Sequence, residues 1–223
     1  MEEREGKAET EIDPQADPET EAGREPVPRA DGHAVRVVAG IAGGIPLETP
    51  GTGLRPSMDK VKAAMFSSLG ERVPGARVLD LFAGSGALGI EALSRGAREA
   101  VFVEKDRRAA LCIGRNLAKT RVEGGRVVNA DVFRYLRGAA GGERFDLIFA
   151  DPPYAAGEES GGIAGRLTRA PELLAVLEPG GCLVLERASG GEAWSAPGWE
   201  LLRARRYGAA EVVFAAPSGG GAA

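Results

Sequence analysis

The chain is poor in aromatic residues, cysteine and histidine. Aromatic residues make up 5% of its 223 residues, so a buried core must consist mainly of Val, Leu, Ile and Ala side chains. The two cysteines, Cys112 and Cys182, lie in apolar stretches without metal-ligand spacing, which predicts buried thiols in a reducing, cytoplasmic compartment and no metal site. No apolar run is long enough to cross a bilayer, and the charged N-terminus lacks the apolar segment of a secretory signal.

Charge is unevenly distributed along the chain. The formal net charge is -4, but residues 1–31 hold eleven acidic and four basic residues, which leaves 24 basic and 21 acidic residues in the remainder. The composition of the acidic segment predicts a disordered extension over 1–34. We expect a folded domain over 35–217, with a substrate-contact segment at 35–72, and a flexible tail over 218–223. The mildly basic body is compatible with nucleic-acid binding.

Apolar strands alternate with helical stretches through the body of the chain. Short apolar runs predict strands, and runs with apolar residues on one face predict helices. Residues 35–39 resemble a short strand, and a helix is expected from Pro56. Five further strands are predicted at 77–82, 100–104, 126–130, 145–150 and 181–186, separated by helices at 87–95, 106–120, 131–137 and about 163–178.

The last two predicted strands, 199–206 and 210–216, have only Tyr207-Gly-Ala between them. A parallel crossover needs far more chain, so these strands should form an antiparallel hairpin at one end of the sheet. Apolar strands that alternate with helices are typical of a parallel sheet covered on both faces. We therefore predict an α/β fold with a mostly parallel sheet, helices on both faces and an antiparallel C-terminal hairpin.

The first candidate site is a glycine-rich loop at the end of the strand at 77–82. It reads Asp80-Leu-Phe-Ala-Gly-Ser-Gly-Ala-Leu-Gly89, and its glycines let backbone amides approach a ligand at the start of the next helix. Gly84 to Gly89 matches the dinucleotide fingerprint, with Glu104 where a ribose-binding acid belongs, so a nicotinamide-dependent oxidoreductase must be weighed. Asp80 argues against that class, because a carboxylate is unfavourable beside a pyrophosphate. It suits the ammonium group of S-adenosylmethionine.

Two further acids lie at successive strand ends. Glu104 can accept hydrogen bonds from ribose hydroxyls, and Asp131 can hold an adenine amino group with Val132 and Phe133 beside the ring. Each acid could instead be a helix N-cap, but three acids at three successive strand ends favour a ligand site. The predicted cofactor-binding residues are Asp80, Phe82, Ala83, Gly84, Ser85, Gly86, Glu104, Lys105, Asp131, Val132 and Phe133.

The second candidate site is Asp151-Pro152-Pro153-Tyr154, after the strand at 145–150. An exocyclic amine of a base is a poor nucleophile. A carboxylate and the Pro152 carbonyl, each accepting one N–H, would turn the lone pair of the nitrogen toward a methyl sulfonium. Consecutive prolines fix the direction of the carbonyl, and Tyr154 offers a flat face to an unpaired base. A rigid turn is the alternative interpretation of these four residues. Their position, three strands after the glycine loop, instead favours Asp151, Pro152, Pro153 and Tyr154 as catalytic residues.

These motifs resemble those of class I amino-methyltransferases, and more specifically the bacterial small-subunit ribosomal RNA guanine-N2 methyltransferases. The resemblance covers 35–216 and rests on Arg36-Val-Val-Ala-Gly, on Leu54-Arg55-Pro56 with Asp59 and Lys60, on Glu104-Lys105-Asp106 and on Arg206-Tyr207-Gly208. It implies a seven-stranded Rossmann-like sheet, S-adenosylmethionine as the cofactor and monomeric action. It also implies a guanine of ribosomal RNA as the target, presented by a partly assembled small subunit.

Basic residues of the substrate-contact segment are candidates for phosphate contacts. Arg36, Arg55 and Lys60 are the predicted substrate-binding residues, with Lys62 beside them; solvated surface charge is the alternative. Members of the family usually carry several basic residues after Val-Ala-Gly, where this chain has none. Two other functions stay open: an adenine-amine methyltransferase of DNA or RNA, and an oxidoreductase or inactive nucleotide-binding module.

Overall fold

The computed structural model describes residues 35–50, 58–139, 142–153, 162–190 and 194–219. The strands are β1 (Arg77–Leu81), β2 (Glu99–Glu104), β3 (Gly125–Asn129), β4 (Phe145–Ala150), β5 (Leu177–Ala188), β6 (Trp199–Tyr207) and β7 (Ala210–Pro217). The helices are α1 (Met58–Leu69), α2 (Ala87–Ser94), α3 (Arg107–Thr120), α4 (Val132–Ala139), α5 (Gly162–Thr168) and α6 (Pro171–Ala175), and a short 3-10 helix, Gly70–Arg72, follows α1. The predicted extension, the end of the predicted tail, Arg55, Pro56 and Tyr154 lie outside the described residues.

The seven strands form one sheet in the order β3-β2-β1-β4-β5-β7-β6. The strands β1 to β5 pair in parallel, whereas β7 is antiparallel to both β5 and β6. The carboxyl ends of the parallel strands therefore lie along one edge, which we call the carboxyl edge. The mostly parallel sheet and its C-terminal hairpin confirm the predicted fold.

Helices cover both faces of the sheet, as predicted. One apolar cluster joins α1, α2 and α3 to the sheet, and Phe66 of α1 packs on Phe149 of β4 with ring centroids 5.3 Å apart. The second cluster joins α4, α5 and α6 to the opposite face. We call these the α1 face and the α4 face. Cys112 and Cys182 are buried free thiols, as predicted. In the described part of the chain, no helix has the length and apolar character needed to span a bilayer.

The predicted strand at 35–39 is wrong. The segment makes a single antiparallel bridge, between Arg36 and Pro46, and does not join the sheet. It folds back on itself instead, because the amide of Val37 donates to the carbonyl of Ile45 and the amide of Leu47 donates to the carbonyl of Val35. Val35 and Val37 of this segment are buried in the apolar cluster of the α1 face.

The predicted helix at about 163–178 is also wrong in part. The region contains two short helices, and Pro171 is the first residue of the second one, since proline cannot donate to a preceding turn but suits a helix start. The strand β5 begins at Leu177, earlier than predicted. Its register with β4 shifts between the pairs Phe145–Leu177 and Leu147–Cys182, so regular pairing starts near the predicted residue 181.

Candidate active site

The loop between β1 and α2 is held to the strand by Asp80. This carboxyl group is only 2% exposed, and its Oδ2 accepts a hydrogen bond of 2.9 Å from the backbone amide of Gly89 in α2. Gly89 has no room for a side chain, because a Cβ there would lie 2.3 Å from the Phe102 ring of β2. The last glycine of the motif thus serves close packing of the helix on the sheet.

The backbone of this β1–α2 loop takes left-handed conformations at three positions. The φ angles are +58° at Phe82, +55° at Gly84 and +78° at Gly86. A residue with a side chain, such as Phe82, adopts this conformation at a cost of about 1–3 kcal/mol, and such strain is concentrated at functional sites. No atom lies closer than 3.9 Å to a Cβ built on Gly84, so a ligand can approach the backbone there.

Glu104, at the end of β2, has its carboxylate fixed by two backbone amides. Its Oε2 accepts from Gly84 at 2.9 Å and its Oε1 accepts from Asp106 at 2.8 Å. Each carboxylate oxygen has a second lone pair, so these bonds orient the group without using its full acceptor capacity. The amide group of Asn129, at the end of β3, donates to the carbonyls of Glu104 and Lys105. Asn129 was not predicted; its position at a strand end is the signal that could have found it.

Asp131 is the N-cap of α4, the alternative that we considered for it. Its Oδ1 accepts from the amide of Arg134 at 3.0 Å, which uses one of the several acceptor positions of the carboxylate. Val132 and Phe133 are buried in the cluster of the α4 face. The guanidinium group of Arg166 from α5 lies 3.8 Å from the centroid of the Phe133 ring. The start of α4 is therefore firmly placed beside the end of β3.

Asp151 follows β4 directly, next to the β1–α2 loop, since Ala150 pairs with Leu81. Asp151 is half-buried, Pro152 is buried and Pro153 is exposed. Burial raises the pKa of Asp80 to about 8; the amide of Gly89 opposes this shift, and the charges of Asp151 and Glu104 add to it. Three of the predicted acids therefore meet at the carboxyl edge.

This arrangement favours a cationic ligand. None of the ion pairs among the described residues involves Asp80. A buried carboxylate without a counter-charge is unfavourable, and an ammonium group beside it would compensate both the burial and the repulsion from Asp151 and Glu104. The donor and acceptor groups of the loop thus fit the amino-acid part of S-adenosylmethionine better than a pyrophosphate.

The basic residues of the predicted substrate-contact segment have different environments. Arg36 is exposed and pairs with Asp59, with Nε to Oδ2 at 3.0 Å, and Lys60 is exposed. The suggestion that Lys62 contacts phosphate is wrong. Lys62 is 4% exposed; its Nζ donates to the carbonyl of Arg36 and lies 3.5 Å from the carboxylate of Glu91. Burial lowers the pKa of Lys62, although Glu91 and Asp59 partly oppose this.

Glu91 of α2 is an anchor for this segment that sequence analysis missed. It is fully buried and accepts hydrogen bonds from the amides of Val38 at 2.6 Å and Ala39 at 3.0 Å. Its carboxylate also pairs with Arg95 at 2.7 Å. A glutamate in an apolar helix is a recognisable signal, but the two backbone amides that bond to it, those of Val38 and Ala39, are more than 50 residues away in the chain.

Asn116 of α3 links the predicted substrate-contact segment to the β1–α2 loop. Its side chain is buried; Nδ2 donates to the carbonyls of Glu48 and Ser85, both at 2.9 Å, and Oδ1 accepts from the amide of Glu48 at 2.8 Å. Sequence analysis did not identify this residue either. A single side-chain amide therefore bonds to both parts, in addition to the anchor that Glu91 provides.

Comparison with known proteins agrees with this geometry. The family described as Conserved hypothetical protein 95 matches residues 35–216. Ribosomal RNA small subunit methyltransferase D of Escherichia coli (strain K12) is 40% identical over 124 residues, which is 55% of this chain and 62% of that relative, so less than two thirds of its length is spanned. A Bacillus subtilis (strain 168) protein, YlbH, named as a candidate rRNA methyltransferase, is 44% identical over 54% of this chain and 67% of its own length.

A solved structure has the same fold. It is yhhF from Escherichia coli, named as a candidate methyltransferase, and it is 30% identical to this chain. The two share a TM-score of 0.66 over 82% of this chain and 97% of that one. Together with the strand order, this similarity shows that the fold is that of class I methyltransferases.

Proposed function

The chain belongs to the family described as Conserved hypothetical protein 95, and we propose that it transfers a methyl group from S-adenosylmethionine to the exocyclic N2 amine of a guanine in small-subunit ribosomal RNA. The observation that carries the proposal is the meeting of Asp80, Glu104 and Asp151 at the carboxyl edge. The names of its relatives support ribosomal RNA as the substrate. The choice of the guanine N2 amine rests on the resemblance of the sequence motifs.

The cofactor site would comprise the β1–α2 loop and the ends of β2 and β3. Asp80 would pair with the ammonium group, and the oriented carboxylate of Glu104 would accept hydrogen bonds from the ribose hydroxyls. Asp131 at the start of α4 would accept from the adenine amino group, with Val132 and Phe133 beside the ring. When bound, S-adenosylmethionine supplies a methyl group on a positively charged sulfur.

Asp151 and Pro152 would prepare the acceptor nitrogen. The half-buried Asp151 carboxylate accepts one N–H of the amine, and the carbonyl of the buried Pro152 accepts the other. These two acceptors favour a tetrahedral nitrogen whose lone pair is no longer delocalised into the base. Asp151 then takes the proton that the nitrogen loses. Positioning supplies much of the rate, and no covalent enzyme intermediate is needed.

The target base would leave its stack to reach this position, with Tyr154 as the stacking face. Arg36 and Lys60, both exposed, would contact phosphates of the neighbouring RNA. The exposed part of Arg36 is restrained by Asp59, which favours one direction for its guanidinium group. Arg55, which lies outside the described residues, stays a predicted phosphate contact.

The class of ligand is tested by thermal unfolding with S-adenosylhomocysteine and, separately, with NAD. A specific ligand at about 100 times its Kd stabilises by about 2.7 kcal/mol. For a domain of this size that corresponds to roughly 5–10 °C in Tm. We expect this increase with S-adenosylhomocysteine and none with NAD. An increase with NAD alone would assign the chain to the oxidoreductase class and exclude the proposed function.

A further inference from the structure

The outer strand β6 carries an unusual density of arginine. Its nine residues include Arg203, Arg205 and Arg206 against the single acid Glu200, and residues 200–206 are all exposed. β6 is the last strand of the sheet, so its outer side has no neighbouring strand in the described part of the chain. Charged residues on such an edge also prevent unwanted strand pairing, so the face on which each arginine lies and its partners distinguish this role from a binding role.

The strand register places two of these arginines on the α1 face. Arg203 pairs with Phe214 and Arg205 pairs with Val212, and residues that pair directly across an antiparallel ladder lie on the same face. Phe214 and Val212 belong to the apolar cluster of the α1 face. In agreement with this, Nη1 of Arg203 donates to the Ser68 hydroxyl of α1 at 3.2 Å.

The same register brings Arg205 to the level of the proposed catalytic turn. Ala150, Leu185, Val213 and Ala204 form one row across β4, β5, β7 and β6. Arg205 is therefore one step beyond this row in the direction of the carboxyl edge, as Asp151 is on β4. Three strand spacings of about 4.8 Å separate the two positions by roughly 14 Å. An RNA strand with its target base at Asp151 could place a neighbouring phosphate over β6.

Arg206 of the same strand differs from Arg203 and Arg205 because it is paired with an acid. It lies on the α4 face and pairs with Glu211 at 3.3 Å, and Arg187 pairs with the same carboxylate at 2.6 Å. Burial raises the pKa of Glu211, but the two arginines lower it overall. By contrast, within the described residues no acid pairs with Arg203 or Arg205.

We propose that Arg203 and Arg205 on the α1 face of β6 form a binding surface for the phosphate backbone of the RNA substrate beside the target nucleotide. This inference rests on the proposed function, since it assumes that the substrate is RNA. Two exposed guanidinium groups on successive same-face positions of a rigid strand are suited to successive phosphates. A rigid strand also fixes the direction in which the RNA leaves the catalytic turn.

The test compares Arg203→Gln/Arg205→Gln with Arg98→Gln/Lys119→Gln. The control removes two exposed positive charges near the opposite edge of the sheet, before β2 and at the end of α3. Binding of deproteinised small-subunit RNA is measured as a function of salt concentration. Removal of a phosphate contact lowers the salt slope by about 1, so we expect a reduction of about 2 and roughly tenfold weaker binding in the β6 variant. The control should match the parent protein.

Three further readouts separate the possible failures. The affinity of the β6 variant for S-adenosylhomocysteine should equal that of the parent, because neither arginine lies in the cofactor site. Its Tm should differ by no more than the loss of one exposed hydrogen bond, from Arg203 to Ser68, can cause. Arg205→Gln alone, which removes no ion pair in the described part of the chain, should give about half of the reduction in the salt slope.

If the salt slope of the β6 variant is unchanged while the parent protein transfers methyl groups to the RNA, the inference is overturned and the proposed function is not. Loss of affinity for small-subunit particles but not for RNA would assign this surface to a protein partner and also overturn it. Absence of any methyl transfer by the parent would instead reject the proposed function.

Discussion

The buried carboxyl group of Asp80 accepts a hydrogen bond of 2.9 Å from the backbone amide of Gly89, which joins the end of β1 to the first turn of α2. Burial raises the pKa of Asp80 to about 8, the Gly89 amide opposes this, and the charges of Asp151 and Glu104 add to it. Near neutral pH, without added ligand, this group is therefore mainly protonated. Pairing with a cationic ligand requires it to lose that proton.

The affinity for S-adenosylhomocysteine should therefore rise with pH. Between about pH 6 and about pH 7.5 we expect up to about a tenfold gain per unit, because each unit below the folded pKa adds about 1.4 kcal/mol to the ionisation of Asp80. Calorimetric titration in buffers of different ionisation enthalpy measures the affinity and the released proton together. In Asp80→Asn the affinity should be lower and nearly independent of pH. If this variant kept the pH dependence of the parent, another group would be responsible.

The same residue should make stability depend on pH in the opposite sense. The folded pKa of Asp80, about 8, is above its unfolded value of 3.8, so proton binding stabilises the folded chain. This contribution is fully present below the unfolded pKa and is lost as the pH rises through about 8. Asp80→Asn keeps the acceptor for Gly89 without a charge, so at about pH 9 it should be more stable than the parent by a few kcal/mol. Urea unfolding at about pH 6 and about pH 9 checks this. An equal decrease in the free energy of unfolding between these pH values for the parent and for Asp80→Asn would contradict it.

Gly89 should tolerate no side chain. A Cβ at Gly89 meets the Phe102 ring at 2.3 Å, so Gly89→Ala should destabilise by about 1–3 kcal/mol and weaken S-adenosylhomocysteine binding through displacement of α2. Gly114→Ala is the matched control. Gly114 lies on the exposed side of α3, and a Cβ added there would have no atom within 4 Å. Alanine there should stabilise by about 0.5–1 kcal/mol. Equal unfolding free energies for the two variants would refute the close contact between α2 and β2.

The buried pair Lys62 and Glu91 should respond unequally to substitution. Glu91→Ala leaves a buried lysine without its main partner and removes the acceptor for Val38 and Ala39, so we expect a loss of about 3–5 kcal/mol. Lys62→Met leaves Glu91 paired with Arg95 and should cost less, about 2 kcal/mol or below. Denaturant unfolding of both variants is the measurement. A larger loss for Lys62→Met would show that the lysine, and not Glu91, anchors the segment.

The order of elements and the place of much of the candidate site could be predicted from local sequence. The three-residue connection between the last strands permits only an antiparallel hairpin, and the structure shows β6 and β7 in that arrangement. Asp80 was recognisable because it lies near the end of an apolar strand just before the glycine loop, and Glu104 because it ends the next apolar strand. The end of a parallel strand is a fixed place in the fold. The break between α5 and α6 could also have been predicted from Pro171, since proline begins helices more readily than it continues them.

Other features depend on contacts between distant parts of the chain. Lys62 resembled a surface lysine, and only the fold shows that it is buried against Glu91. The segment at 35–39 has the composition of a strand, but its hydrogen bonds go to its own hairpin-like loop and to α2. The double link of Asn116 to Glu48 and Ser85 likewise joins residues 31 and 68 positions away. Local patterns contain no information about such partners.

The most direct test of the proposed function is identification of the methylated nucleoside. The protein is incubated with radiolabelled S-adenosylmethionine and small ribosomal subunits from a strain that lacks the corresponding enzyme, and the RNA is then digested to nucleosides. Asp151→Ala is the control; it should give no label while its affinity for S-adenosylhomocysteine stays within a few-fold of the parent. We expect label in N2-methylguanosine. Label in N6-methyladenosine, or no label from a protein that binds the cofactor, would contradict it.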